Sequence, residues 1–298
     1  MIRQRGFALL LVIWSLVLLL SLATGFGYAV RHELRFGSDV ADSVRAEAAS
    51  LAAFHEAILA LATQDSDTRW KPDAAAQVFA WPQGTVTVKV ISENGRIDLN
   101  VAPAELLRGL FETLLPEHDA TALTDAVIDW RDRDDNPLPS GAEAREYADA
   151  GYAYTPMNQP FGSTSELSQV IGFDREMTEM VQPYLTVYSR RPRINANSAD
   201  LVTLSAVPGI TTDIAETFVA DRKAATASQQ KPDFSALSSG KRYVDTTSNS
   251  NLFAIDMTTS VTDGATLRHQ VVVALQGRSG FLVLQRRPMP VTPTESPD

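Results

Sequence analysis

The chain has 298 residues, with 26 Lys and Arg against 36 Asp and Glu, for a formal charge of −10 at pH 7. The acid excess argues against a nucleic-acid binder, whose affinity rests on basic side chains meeting phosphates. The absence of cysteine excludes disulfides, thiolate metal sites and cysteine nucleophiles together. From Phe7 to Val30 no residue is charged. As a helix rising about 1.5 Å per residue, that run spans roughly 36 Å, enough for a hydrocarbon core of about 30 Å. No second stretch approaches it, so one membrane crossing is expected. Arg3 and Arg5 precede it with no acid, which favours a cytoplasmic N-terminus.

The apolar core is longer than that of a secretory signal peptide, and no A-x-A site ends it cleanly. A plain signal anchor is the simplest reading. A short basic leader, however, ends at Gly6 and is followed at once by Phe7 and the apolar run. This order resembles the class-three leader of type IV pilins and type II secretion pseudopilins. The resemblance implies cleavage by a prepilin peptidase between Gly6 and Phe7, leaving Phe7 as an N-methylated first residue. Leu11 stands where most pilins carry a Glu that pairs with the neighbouring subunit's amino terminus. Because a buried unpaired charge is costly, a subunit with no neighbour above it has no use for that Glu.

Beyond the membrane the chain stays compatible with a helix, free of proline, through Ala62. Val40, Val44, Ala48, Leu51, Phe54, Ile58 and Leu61 step by three or four residues, one apolar stripe expected to pack on the protein's own domain. Gly84 to Ser92 alternates polar and apolar residues as a half-buried strand. Asn94-Gly95 predicts a hairpin turn, with Arg96 to Asn100 returning as a second strand. Strand patterns resume only at Leu252–Val261, Thr266–Leu275 and Gly280–Arg287. The expectation is an antiparallel sheet interrupted by a helical insert.

Inside the insert, Ile97–Phe111 and Ile194–Ile210 form a weak internal repeat, with Asn100 and Asn197 expected to open helices. The second copy runs through Pro208-Gly209-Ile210 and resembles a helix-hairpin-helix unit, read as a packing device because the chain is acidic and the turn holds one glycine. Thr226 to Asn251 reads as a loop, and Arg287 to Asp298 as a frayed tail.

The stretch from Asp129 to Tyr147 is the one most suited to chemistry. Asp132, Asp134, Asn136 and Glu143 reproduce the oxygen-ligand spacing of an EF-hand loop, although Pro137 occupies the position where that loop needs glycine. A carboxylate-rich loop between helices can still gather hard oxygens around calcium, with Asn158 returning to the same site and Glu166 a more distant candidate. Arg131 and Arg133 are expected to offset part of the charge. The four histidines show no metalloprotease spacing, and no phosphate loop or G-x-S-x-G occurs, so nothing here reads as an enzyme.

Together, the leader RQRG–FALLLVIW, Leu11, GRIDLNVA, DWRDRDDNPLPSGAEAREY, YTPMNQPFGSTSELSQVIG, INANSADLVTLSAVPGI and SNLFAIDM resemble the K-type minor pseudopilin of the type II secretion system over nearly the whole length. The resemblance implies an α+β pseudopilin fold: a long N-terminal transmembrane helix packed on a small antiparallel sheet, with a large all-α domain inserted in the sheet. The segments are then a leader (1–6), a membrane helix (7–30), its periplasmic continuation (31–65), the first sheet part (66–100), the insert (101–230), and a loop, strands and tail (231–298). It further implies a pseudopilus tip formed with the I and J minor pseudopilins. Other implied partners are further pseudopilins, the assembly platform of the inner membrane and the prepilin peptidase, with the head in the periplasm. The family's calcium site maps onto Asp132, Asp134, Glu143 and Asn158, with a structural role. The alternatives are a minor type IV pilin used in adhesion or DNA uptake, and a membrane-anchored enzyme using the acidic loop.

Overall fold

The computed structural model describes residues 5–63, 69–228, 230–247, 250–262, 266–277 and 280–289, with backbone alone for 5–8 and 29–39. Most of the expected leader and residues 290–298 of the expected tail therefore lie outside the described residues, while Gly6 and Phe7 fall in the first turn of the first helix. That helix, α1 (Arg5–Ala62), is continuous. Among the described residues it holds the one helix segment long and apolar enough to cross a membrane, Leu9–Tyr28.

Then follow β1 (Gln77–Trp81), β2 (Gly84–Ser92), β3 (Ile97–Asp98), α2 (Ala104–Leu114), α3 (Ala120–Arg131), α4 (Ala144–Asp149) and α5 (Arg175–Val181). The chain continues with β4 (Leu185–Thr186), β5 (Ile194–Asn195), α6 (Leu201–Ser205), α7 (Thr212–Ala227) and β6 (Val244–Asp245). It closes with β7 (Leu252–Val261), β8 (Thr266–Gln276) and β9 (Gly280–Pro288).

The main sheet is antiparallel, in the order β1-β2-β7-β8-β9. Its alternating inward residues, among them Val86, Val88, Val90, Ile255, Met257, Val271 and Val273, close a core against Ala53, Phe54, Ala57, Ile58 and Leu61 of α1. The expected apolar stripe of α1 therefore divides. Phe54, Ile58 and Leu61 are buried, but Val40, Val44, Ala48 and Leu51 are exposed. The buried face higher on the helix is built instead from Ala46, Ser50 and Ala53, whose small side chains let α1 lie close to β7.

The hairpin expected at Asn94-Gly95 does not form. Residues 93–95 make one 3-10 turn, and β3 leaves the sheet to pair in parallel with β4. Gly95 sits so near the Ser198 carbonyl that a Cβ would lie 2.5 Å from its oxygen, which directs the chain into the insert. The hairpin at this end of the head is β1–β2, closed at Pro82-Gln83.

The insert has its own core, running from Ile97 to Val244 and containing Leu107, Phe111, Trp130, Tyr147, Leu204 and Phe218. It is wider than the predicted helical span, because residues 235–245 are not a free loop: Leu237, Tyr243 and Val244 are buried in it. The internal repeat is physical. In each copy a two-residue strand pairs in parallel, β3 with β4 and β5 with β6, and then turns into a pair of helices. In the first turn the Asn100 amide donates to Asp98 Oδ1; in the second the Asn197 amide donates to Asn195 Oδ1. Arg131 donates to the carbonyls of Leu99 and Ala102, and Arg222 to those of Ala196 and Ala199. Asn100 and Asn197 thus shape the turns, whereas the helix caps are Pro103 and Asp200. The Pro208-Gly209 turn is covered by Ser239, whose hydroxyl donates to the Gly209 carbonyl, in keeping with a packing unit.

Candidate functional site

The acidic loop spans the end of α3 and the start of α4. Asp132 is the C-cap of α3, its amide bonded to Ile128, and Glu143 is the N-cap of α4. Two rigid helix ends therefore hold the first and last of the predicted carboxylates. Between them the loop folds back on α3: Asp129 accepts from the Leu138 amide and Asp125 from the Ser140 amide. Both acids lie one turn apart on the same helix face, a spacing of four that marks them as a pair. Gly141 permits the closeness, since a Cβ there would lie 2.0 Å from Asp129 Oδ2.

Asn158 arrives from the far side. Its backbone is in the left-handed region, φ 47°, and its Nδ2 donates to the Asp134 carbonyl at 3.1 Å and to Asp135 Oδ1 at 2.8 Å. Asn tolerates this conformation better than most side chains. The amide is thereby oriented with Oδ1 turned inward. That oxygen, Asp132 Oδ1 and both carboxylate oxygens of Glu143 are buried and have no hydrogen-bond partner. An unmet buried acceptor costs roughly 1–3 kcal/mol, more when charged. Here four such acceptors belong to three of the four residues selected from sequence.

The electrostatics agree. Burial, then the neighbouring Asp129, Asp132, Asp135 and Asp134, pushes the Glu143 carboxyl up to about 7. Burial raises Asp129 to about 6 against the lowering effect of the Leu138 and Ala142 amides, and burial and Asp134 raise Asp132. Carboxylates crowded away from water favour a cation.

The fourth predicted residue, Asp134, behaves differently. It is exposed, and its Oδ1 accepts from the Asn136 amide and Nδ2, which shapes the turn. Glu166 is not brought to the loop; its carboxylate accepts from the Gly162 amide. Arg131 is directed to the Leu99 and Ala102 carbonyls rather than into the loop. Among the described residues no three His, Asp or Glu side chains converge in metal-binding geometry. The set available is two carboxylates and one amide oxygen, which suits a hard ion completed by backbone carbonyls and water better than one demanding nitrogen ligands. Beneath the site Trp130, Tyr147 and Phe161 pack with ring centroids 6.2 Å apart, and the Ile171 amide donates to the Tyr147 hydroxyl.

Comparison with known proteins places this architecture. Residues 88–190 match the family described as type II secretion system, protein K. The type II secretion system protein K of Klebsiella pneumoniae is 27% identical over 220 residues, covering 66% of this chain and 67% of that protein. The Pseudomonas aeruginosa protein of the same name is 28% identical, covering 56% of each chain. The fold is shared with a chain from the crystal structure of the GspK-GspI-GspJ complex of enterotoxigenic Escherichia coli. That match has a TM-score of 0.61 at 20% identity and covers 88% of this chain and 99% of the other. The family match over residues 88–190, the relatives of the same name and the shared fold together make this chain similar to the type II secretion system protein K family.

Proposed function

We propose that this subunit is anchored in the inner membrane by α1, carries its head in the periplasm, and forms the pseudopilus tip with the I and J minor pseudopilins. The observation that carries the reading is the exposed apolar stripe Val40, Val44, Ala48, Leu51 and Leu59, carried on the same unbroken helix as the segment long and apolar enough to span a membrane. At 100° per residue these positions share an arc of about 100°, adjoining the face that meets the sheet. A stripe of this kind on an ordered helix suits the apolar stripe of a partner helix. The K relative from Escherichia coli is assembled with its I and J counterparts, which supports the same partners here. Leu11 in the position of the usual Glu fits a subunit that ends a filament.

In this reading the prepilin peptidase cleaves after Gly6, and Phe7 becomes the methylated N-terminus before extraction from the membrane. One experiment addresses both steps: the full chain is co-expressed with the peptidase and with tagged I and J partners, and what the tag retains is weighed intact. Retention of a chain beginning at methylated Phe7, lost in Val44→Glu/Leu51→Glu, supports the proposal. Retention of the double variant at the wild-type level, or a chain still beginning at Met1, contradicts it.

The acidic loop is assigned to structural calcium, held by Asp132 Oδ1, the Glu143 carboxylate and Asn158 Oδ1, with Asp134 shaping the turn and adding charge. The ion supplies charge neutralisation that lets the loop close over α3, and no reaction step is attached to it. Calcium at 100 times its dissociation constant should stabilise the fold by about 2.7 kcal/mol. Thermal melts with and without calcium check this: the gain should vanish in Asp132→Asn, and equal melts for the wild type would remove the assignment.

A further inference from the structure

We propose that Asn100, which is not itself a ligand, is the positioning residue of the metal site, an inference that rests on the calcium reading of the acidic loop. Asn100 grips Phe161 at both of its backbone polar groups: Nδ2 donates to the Phe161 carbonyl at 3.0 Å, and the Phe161 amide donates to Oδ1 at 2.7 Å. Phe161 follows Asn158 by three residues, so this pair of hydrogen bonds fixes the end of the arm that carries the inward-facing amide oxygen. The Phe161 ring lies on Trp130 with an interplanar angle of 22°, and Trp130 stands two residues before Asp132.

The other arm is referred to the same turn. Arg131, adjacent to Asp132, donates to the carbonyls of Leu99 and Ala102 on either side of Asn100. The turn is in turn held by Asp98, buried, which accepts from the Asn100 amide, the Ser189 hydroxyl and the Arg190 amide. Two ligand-bearing segments far apart in sequence, at Asp132 and Asn158, are thus set from one rigid turn. A metal site depends on such supporting contacts because ligand oxygens must be held near their bound positions before the ion arrives.

The internal repeat supplies a matched control. Asn197 occupies the same place in the second copy, with the same turn and the same kind of arginine clamp from Arg222. Its Nδ2 donates to the Thr246 carbonyl, with no metal arm attached. The two asparagines therefore do the same local work and differ in what they hold.

The test is calcium titration of the full chain by calorimetry, below the melting temperature of each calcium-free variant. Asn100→Ala should weaken binding about tenfold or more. Asn100→Asp, which keeps the acceptor for the Phe161 amide and loses the donor, should lie between it and wild type. Asn197→Ala should lower the melting temperature by a similar amount while leaving calcium affinity unchanged. Wild-type affinity in Asn100→Ala, or equal weakening in Asn197→Ala, would overturn the proposal while leaving the calcium site in place. A wild-type chain that takes up no calcium overturns both.

Discussion

Glu143 is the carboxylate of the acidic loop whose ionisation is most perturbed by its surroundings. Without an ion its carboxyl is pushed up from 4.5 to about 7, by burial first and the surrounding aspartates second, and Asp129 rises from 3.8 to about 6. An acid whose folded value exceeds its unfolded one keeps its proton in the fold at pH values where the unfolded chain has released it. The folded state then binds more protons, and stability falls as pH rises through that interval. Calcium-free protein should accordingly lose stability between about pH 4 and 7, with the penalty complete above. Saturating calcium, which favours the carboxylates, should flatten or reverse that slope, and Glu143→Gln should remove part of it without calcium. Melts across this pH range check the sign, and a calcium-free protein that gains stability over the whole interval would contradict the assignment. The spacing of Asp132, Asp134 and Glu143 was legible in sequence because it follows a known ligand pattern. The supporting roles of Asp125, Asp129, Gly141 and Asn100 were not, since each depends on which backbone groups the loop turns toward them.

At the level of helices and strands, periodicity sets what the sequence alone reveals. Gly84–Ser92 alternates to its end, with one face buried and the other partly exposed, whereas Leu252–Val261 begins with four consecutive buried residues and alternates only beyond them. The two-residue strands β3 to β6 have too few residues to show alternation, and β3 pairs in parallel with β4 instead of returning as a hairpin. What sends β3 elsewhere is tertiary: the tight approach of Gly95 to Ser198 and the parallel pairing with β4. Helix α1 shows the complementary limit. A 3.6-residue period reveals that apolar residues share an arc, but not which part of the arc is covered by the chain itself. Ala46, Ala53 and Ala57 are buried, while bulkier Val44 and Leu51 face outward. The sheet edge shows a further local device. Phe281 packs against Phe54 and Arg286 reaches Glu47, five residues apart on one strand yet both directed to α1. The register shift opposite Val272 and Val273 inserts one residue and restores the phase.

For the whole molecule, one chain builds two cores and a polar junction between them. The sheet and α1 close the first core, and the insert closes the second. At the crossing, buried Glu93 pairs with Arg96 and accepts from the Thr186 hydroxyl, while Arg287 donates to Gln270 and Gln270 to Asp256. Such a network fixes direction more than it adds stability, because breaking one buried partner leaves the other uncompensated. The insert is thereby held in one orientation on the sheet, and the exposed stripe of α1 is left clear. Assembly through that stripe is directly testable, because the chain has no cysteine of its own. Single-cysteine variants Val44→Cys and Leu51→Cys, and Thr121→Cys on the exposed side of α3 as a control, are labelled with a photo-crosslinker in membranes that also hold the I and J partners. Covalent adducts to a partner pseudopilin from positions 44 and 51, and none from 121, are the predicted result. Adducts from 121 with none from 44 or 51 would contradict assembly through α1.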